Sequence, residues 1–167
     1  MKYIDFLTKM SEHSKGITLK DSSSKVYDTL KEDIINPSFI SDLMEPYKIE
    51  IMQAQSFKVA AHYLNEEQLL CAIDGYMTVK LVPHIFRQEL YAGKDLIIRD
   101  EERDEDQPPR KKKIPDTCSP IDFFDPDLDN YPLFLEAERR YTVLLHDGDC
   151  LFIPAYYFYT FGGKAEN

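Results

Sequence analysis

Apolar and polar side chains alternate most regularly within residues 57–83, FKVAAHYLNEEQLLCAIDGYMTVKLVP. Met77, Val79 and Leu81 fall on one side of an extended chain, and Thr78 and Lys80 fall on the other. Residues 76–83 are therefore predicted to form a strand with one buried and one wetted face. Residues 68–73 are its predicted partner, joined to it through Asp74-Gly75, a turn dipeptide of hairpin type. Residues 48–57 open the β region, with Ile49 and Ile51 on one face and Glu50 and Met52 on the other. Further strands are predicted over 141–145, 150–154 and 156–161, and Tyr157, Tyr159 and Phe161 share a face by alternation. His146-Asp147-Gly148-Asp149 makes the turn between the first two, with Gly148 free to take positive φ and Asp149 able to accept from nearby amides.

The amino-terminal third carries a different period. Ile4, Leu7 and Met10 recur at helical spacing, as do Val26, Leu30 and Ile34 before Pro37, so short helices are predicted over 3–11 and 25–35 with a turn or linker at 20–24. The chain then divides into an amino-terminal helical segment, 1–47, that braces the sheet, and a β core, 48–167. Residues 84–93 read as a helical turn and loop, and 132–138 as a short helix. Residues 99–129 read as a long irregular insertion whose charged part, about 99–118, runs from acidic RDEERDED to basic PPRKKKIP. Such runs are usually solvated surface loops. The sharper reading makes Arg110, Lys111, Lys112 and Lys113 a nuclear-import signal or a contact for a polyanion.

The run AHY, then Gln68, then LLCAIDGYMTVKLVP resembles the core of the JmjC, or cupin-like, 2-oxoglutarate dioxygenases. That family's pattern is histidine, any residue, aspartate, followed by an Asn-hydrophobic pair, a Gly-X-Lys step and a strand ending in proline. A second block, SPIDFFDPDLDNYPLFLEAERRYTVLLHDGDCLFIPAYYFY over residues 119–159, is similar to the segment before and through the family's second metal histidine. The branches most resembled are the tRNA wybutosine-synthesising hydroxylases and the asparaginyl hydroxylases that act on hypoxia-inducible factor. The resemblance covers most of the chain. It implies a mainly β fold, a double-stranded β-helix or jelly roll, with bracing helices at the amino terminus.

The resemblance also implies a site, and there this chain departs from the pattern. The family holds iron with two histidines and a carboxylate, leaving positions open for co-substrate and oxygen. His62 matches the first ligand, but Leu64 stands at the carboxylate position. The second histidine follows a Pro-X-aromatic-aromatic run, and PAYYFY puts Phe158 or Tyr159 in its neighbourhood, with direct counting favouring Tyr159. Met77 replaces the lysine that pairs with the co-substrate carboxylate in one branch, and Val59 replaces a threonine. Each change removes a charge or a donor. Iron(II) binds N/O sites weakly among first-row metals, and a buried dicarboxylate without a charged partner is costly. Neither metal nor 2-oxoglutarate is expected to bind in the ordinary way.

The expectation is a domain that has lost catalysis and serves as a binding or scaffold module. The alternative is a divergent Fe(II)/2-oxoglutarate hydroxylase acting on protein or tRNA, with His62 joined by Tyr159 and by Glu66 or Glu67. A third reading puts an apolar or aromatic small molecule beside Leu64, Met77 and Tyr159. On its own, His62 reads as a pocket histidine with a satisfied hydrogen bond. His13, His84 and His146 have no partner at ligand spacing, and Asp122 and Asp125 read as turn and cap residues.

Composition narrows the partners. The 167 residues suit one domain, and 30 acidic against 20 basic residues leave a net charge of −10, which argues against nucleic-acid and membrane surfaces. Eleven Tyr and ten Phe with no Trp suit a β-rich core. Cys71, Cys118 and Cys150 are odd in number without CxxC spacing, so Cys71 and Cys150 read as free buried thiols in a reducing compartment. Met1 to Met10 mixes charges among its apolar residues, unlike a signal peptide, and no apolar run is long enough to span a bilayer. A soluble intracellular protein, cytoplasmic or nuclear, with an unknown protein partner is expected. The chain stops at GGKAEN, where the family implies another strand and carboxy-terminal helices. Either the sequence is trimmed or the barrel is open at one edge, and an open edge invites dimer formation.

Overall fold

The computed structural model describes residues 5, 8, 18–21, 49–54, 56–98 and 110–164. Their strands are β1 (Thr18–Asp21), β2 (Ile51–Ala54), β3 (Ser56–Lys58), β4 (Gln68–Cys71), β5 (Tyr76–Val82), β6 (Asp95–Ile98), β7 (Arg110–Lys113), β8 (Tyr141–His146), β9 (Cys150–Ile153) and β10 (Phe158–Lys164). Two 3-10 helices, His84–Phe86 and Pro132–Glu136, interrupt them. The described fold is mainly β with antiparallel pairing, and it divides into two compact units, residues 1–57 and 58–167.

In the first unit β1 pairs antiparallel with β2, from Thr18 opposite Ala54 to Asp21 opposite Ile51. Lys20 and Asp21 thus belong to a strand and not to the expected turn. Asp5 and Thr8 have helical backbone; the rest of the expected 3–11 helix and the whole 25–35 helix lie outside the described residues.

In the second unit β5 is central, flanked by β10 (Phe158 opposite Val82, Lys164 opposite Tyr76) and by β8 (Tyr76 opposite His146, Leu81 opposite Tyr141). β4 and β9 form a separate pair, Gln68 opposite Ile153 and Cys71 opposite Cys150. Val79, Leu81, Leu145 and Tyr159 from the first sheet and Ala72 and Ile153 from around the second are buried in one cluster, the inner core. Alternation therefore works as expected: Met77, Val79 and Leu81 all join that cluster. Full burial of each large aliphatic side chain contributes about 1.5–3 kcal/mol. The opposite face of the sheet is covered too. Val82 and Phe158 pack there with Leu90, Ile121, Phe123 and Phe134, so the segment after residue 118 is a packed cover. Ser119 fastens it: its Oγ donates to the Leu90 carbonyl at 2.8 Å and accepts from the Ile121 N–H at 3.2 Å.

Turn chemistry holds where the sequence placed it. Gly75 and Gly148 have φ of 77° and 84°. The His146 N–H donates to Asp149 Oδ2 at 3.0 Å, and the Asp149 N–H donates to the His146 carbonyl at 2.9 Å. The last strand begins at Phe158, two residues late, because Tyr156 adopts φ of 66° and its N–H turns aside to the Leu64 carbonyl at 2.8 Å.

Two further expectations are corrected. Arg110, Lys111, Lys112 and Lys113 are not a solvated loop but the strand β7, paired from Asp95 opposite Lys113 to Ile98 opposite Arg110. Backbone pairing needs no apolar side chains, so a charged strand is invisible to hydrophobic periodicity. Cys71 and Cys150 are not free thiols: the β4–β9 register sets them side by side as a disulfide across 79 residues of sequence. Cys118 is free. Among the described residues no helix is long and apolar enough to cross a membrane.

Candidate functional site

His62 sits between two extended segments. On one side its N–H donates to the Tyr159 carbonyl at 3.1 Å and its carbonyl accepts from the Tyr159 N–H at 2.8 Å. On the other, the Tyr63 N–H donates to the Thr117 carbonyl at 2.8 Å and the Ser119 N–H to the Ala61 carbonyl at 2.9 Å, which sets His62 opposite Cys118. Directly opposed residues of antiparallel strands point to the same face, so thiol, imidazole and phenol form one cross-strand row.

The rings of His62 and Tyr159 are 4.6 Å apart between centroids and tilted by 48°. His62 Nδ1 lies 2.8 Å from the Ala60 carbonyl oxygen, which can only accept. Nδ1 therefore carries a hydrogen, and in the neutral ring Nε2 holds the lone pair. Tyr159 is 4% exposed, and its hydroxyl donates to Gln68 Oε1 at 2.7 Å, tying β10 to β4 across the inner core.

The remaining expected positions bring no polar side chain to His62. Leu64 is 38% exposed. Met77 lies opposite Gly163 and packs against the inner core. Val59 contributes only backbone, its N–H donating to the Phe161 carbonyl at 2.9 Å and its carbonyl accepting from Thr160 Oγ1 at 2.5 Å. Glu66 and Glu67 are exposed. Among the described residues no three His, Cys, Asp or Glu side chains gather as a metal-ligand set. A shallow groove opens beside the row, lined by His62, Tyr63, Leu64, Thr117, Cys118 and Tyr156.

Asp122 stands near the entry of the chain into this unit, where its carboxylate pairs with Lys58 Nζ. Its Oδ1 also accepts from the Phe124 N–H at 3.0 Å, the turn role expected of it. Burial pushes its carboxyl up, but the Lys58 hydrogen bond and charge and the Phe124 and Asp125 amides outweigh this and hold it below its ordinary 3.8. A depressed folded-state pKa adds stability above the unfolded value and loses it as pH falls through the lower folded value. The stability difference between wild type and Asp122→Asn is therefore expected in full at neutral pH, to begin shrinking near the unfolded value of about 4, and to disappear only as pH falls through the lower folded value; thermal melts across that range check it. A difference that grew on acidification would contradict the pairing.

Sequence reasoning missed Cys118 and the task of Gln68. Cys118 enters through a register 56 positions away in sequence, which no local spacing reveals.

The comparisons with known proteins follow the same lines. Residues 1–164 match the family model described as a cupin-like domain. Over 99 residues the chain is 33% identical to the JmjC domain-containing protein F of Dictyostelium discoideum, covering 59% of this chain and 20% of that protein. The chain thus spans about a fifth of the length of this curated relative. With an antiparallel β architecture and a family match that runs through almost its whole length, the chain belongs to the cupin-like (JmjC) domain family.

Proposed function

We propose that this chain is a JmjC-like double-stranded β-helix that has lost Fe(II)/2-oxoglutarate chemistry and serves as a binding or scaffold module for a protein partner. Its nearest branches are taken to be the wybutosine-synthesising and asparaginyl hydroxylases. Residues 1–47 form its amino-terminal segment and 48–167 its core. One observation carries the reading: the residue directly opposite His62 is Tyr159, whose hydroxyl is committed to Gln68 inside the core. With Leu64 at the carboxylate position, the donors present are one imidazole nitrogen, the Cys118 thiol and an engaged phenol, a set that does not fit the two-histidine, one-carboxylate triad that holds iron(II) in the family. Met77 and Val59 offer no group to hold the charge of 2-oxoglutarate. A cytoplasmic or nuclear location belongs to this proposal, and there the redox state of Cys71 and Cys150 becomes a variable of stability.

Incubation of the purified chain with iron(II) and 2-oxoglutarate is expected to yield no metal-dependent succinate. Turnover that disappears in His62→Ala would overturn the reading. A divergent hydroxylase acting on protein or tRNA is the second reading, and one observation favours it. The His62 Nδ1–H is anchored on a main-chain carbonyl, as metal-bound imidazoles commonly are, which leaves Nε2 available.

A further inference from the structure

On the outer face of the β10–β5–β8 sheet, two cations stand beside one groove without carboxylate partners. Lys80 of β5 donates from Nζ to the Phe123 carbonyl at 2.9 Å and lies 5.3 Å from the centre of the Phe124 ring. Arg140, just before β8, donates from Nη1 to the Phe134 carbonyl at 3.5 Å, with Cζ 5.2 Å from the centre of the Phe134 ring. The groove between them is completed by Tyr141 and Thr142 of β8. Among the described residues neither cation makes an ion pair, in a chain with 30 acidic residues. An ammonium has three donors and a guanidinium five, so one carbonyl each leaves capacity aimed at a further acceptor.

β8 is also the terminal strand of its sheet. Among the described residues its backbone hydrogen bonds run to β5 and to the turn at Asp149, and its other edge is open. Tyr141 and Leu144 on it are 47% and 51% exposed. An open edge with exposed apolar side chains is a template for another strand.

We propose that this face binds an extended acidic segment of a partner protein. The segment's main chain lies alongside β8, its apolar side chains lie on the side of Tyr141, which stands opposite Leu81, and its carboxylates lie on the side of Thr142 and Leu144, from which one or two reach Lys80 and Arg140. Charge sets the sign of the partner. The net charge of −10 opposes a polyanion at long range, but that field is screened beyond about 8 Å at physiological salt. Inside that distance a carboxylate can meet the two unpaired cations directly, which favours sparse carboxylates interleaved with apolar residues over an acidic run. The surface lies outside the His62 pocket, so it stands whether or not that pocket turns over.

The test is fluorescence anisotropy with a fluorescein-labelled peptide of roughly eight residues alternating Glu and Val, a common strand length. A peptide with Lys in place of Glu is the control. The Glu peptide is expected to bind about tenfold more tightly than the Lys peptide and to lose about tenfold on Lys80→Met/Arg140→Met, the scale of two partly exposed ion pairs. Arg140→Glu, at an exposed side chain, serves as the second variant and is expected to weaken the Glu peptide with an unchanged melting temperature. Equal affinity for the two peptides, or an unchanged affinity in folded Arg140→Glu, would overturn the proposal. So would full displacement of the peptide by an equal concentration of hexanoate, since a free carboxylate cannot pair with β8.

Discussion

Reduction of the Cys71–Cys150 bond is expected to lower the melting temperature by about 5–15 °C. The bond closes a loop across 79 residues of sequence. Chain entropy alone assigns a loop of that size about 4.5 kcal/mol, and measured disulfides commonly contribute about 2–4 kcal/mol. At this chain length each kcal/mol moves the midpoint by roughly 2–4 °C. The local structure argues that the effect is felt where the bond sits. Among the described residues β4 and β9 pair only with each other, and beyond the cysteines their ladder is continued by the Ala72 N–H to the Asp149 carbonyl at 3.0 Å and the Gly148 N–H to the Ala72 carbonyl at 2.7 Å. Leu70, Leu151 and Ile153 hold the pair onto the inner core. Losing the covalent tie therefore weakens the wall of that core at its turn end. Calorimetry with and without dithiothreitol measures the shift. Cys71→Ser/Cys150→Ser should melt like the reduced protein and ignore the reductant, while Cys118→Ser should behave like wild type. A reduced protein that melts within about 2 °C of the oxidised one, less than a single kcal/mol would produce, shows that the bond is not formed.

What could be read from the sequence was what is local. β5 declared itself through the alternation of Met77, Val79 and Leu81, and both turns through Gly75 and Gly148, because a strand's face and a turn's φ are properties of a few adjacent residues. Counting from Pro154 reached Tyr159, and Tyr159 is the residue opposite His62. What stayed hidden depends on register between distant segments. The Cys71–Cys150 bond, the Cys118–His62 opposition and the β6–β7 pairing each join residues whose neighbourhood is set only once the sheets have assembled. Lys80 makes the point within a single strand. Its alternation marks it correctly as facing away from the inner core, yet that face is not simply wet, because residues 119–137 fold over it and place Phe123 and Phe124 against the ammonium.

Restoring the lost donors should restore a metal site. Leu64→Asp with Tyr159→His is expected to give cobalt(II) binding at least tenfold tighter than wild type, with a ligand-field spectrum that neither single variant shows at the same concentration; three donors on one ion gain much more than two. The geometry behind this is the backbone pairing of His62 with position 159, which holds the two side chains on one face at ring-contact distance. His62 Nδ1–H is already anchored on the Ala60 carbonyl, so its ring needs no reorientation to present Nε2. The substitution has a cost at Tyr159. Its hydroxyl leaves Gln68 Oε1 without a donor, worth about 1–3 kcal/mol for a buried acceptor, and the smaller imidazole leaves space in the inner core. Gln68→Leu added to the pair removes the orphaned acceptor and should recover part of that stability without changing the spectrum. If the triple variant is folded and cobalt still binds no better than to wild type, then position 64 or 159 is not where the family's ligands stand. The identification of Tyr159 as the replacement for a ligand would fall with it, and the loss of catalysis would need another cause than missing donors.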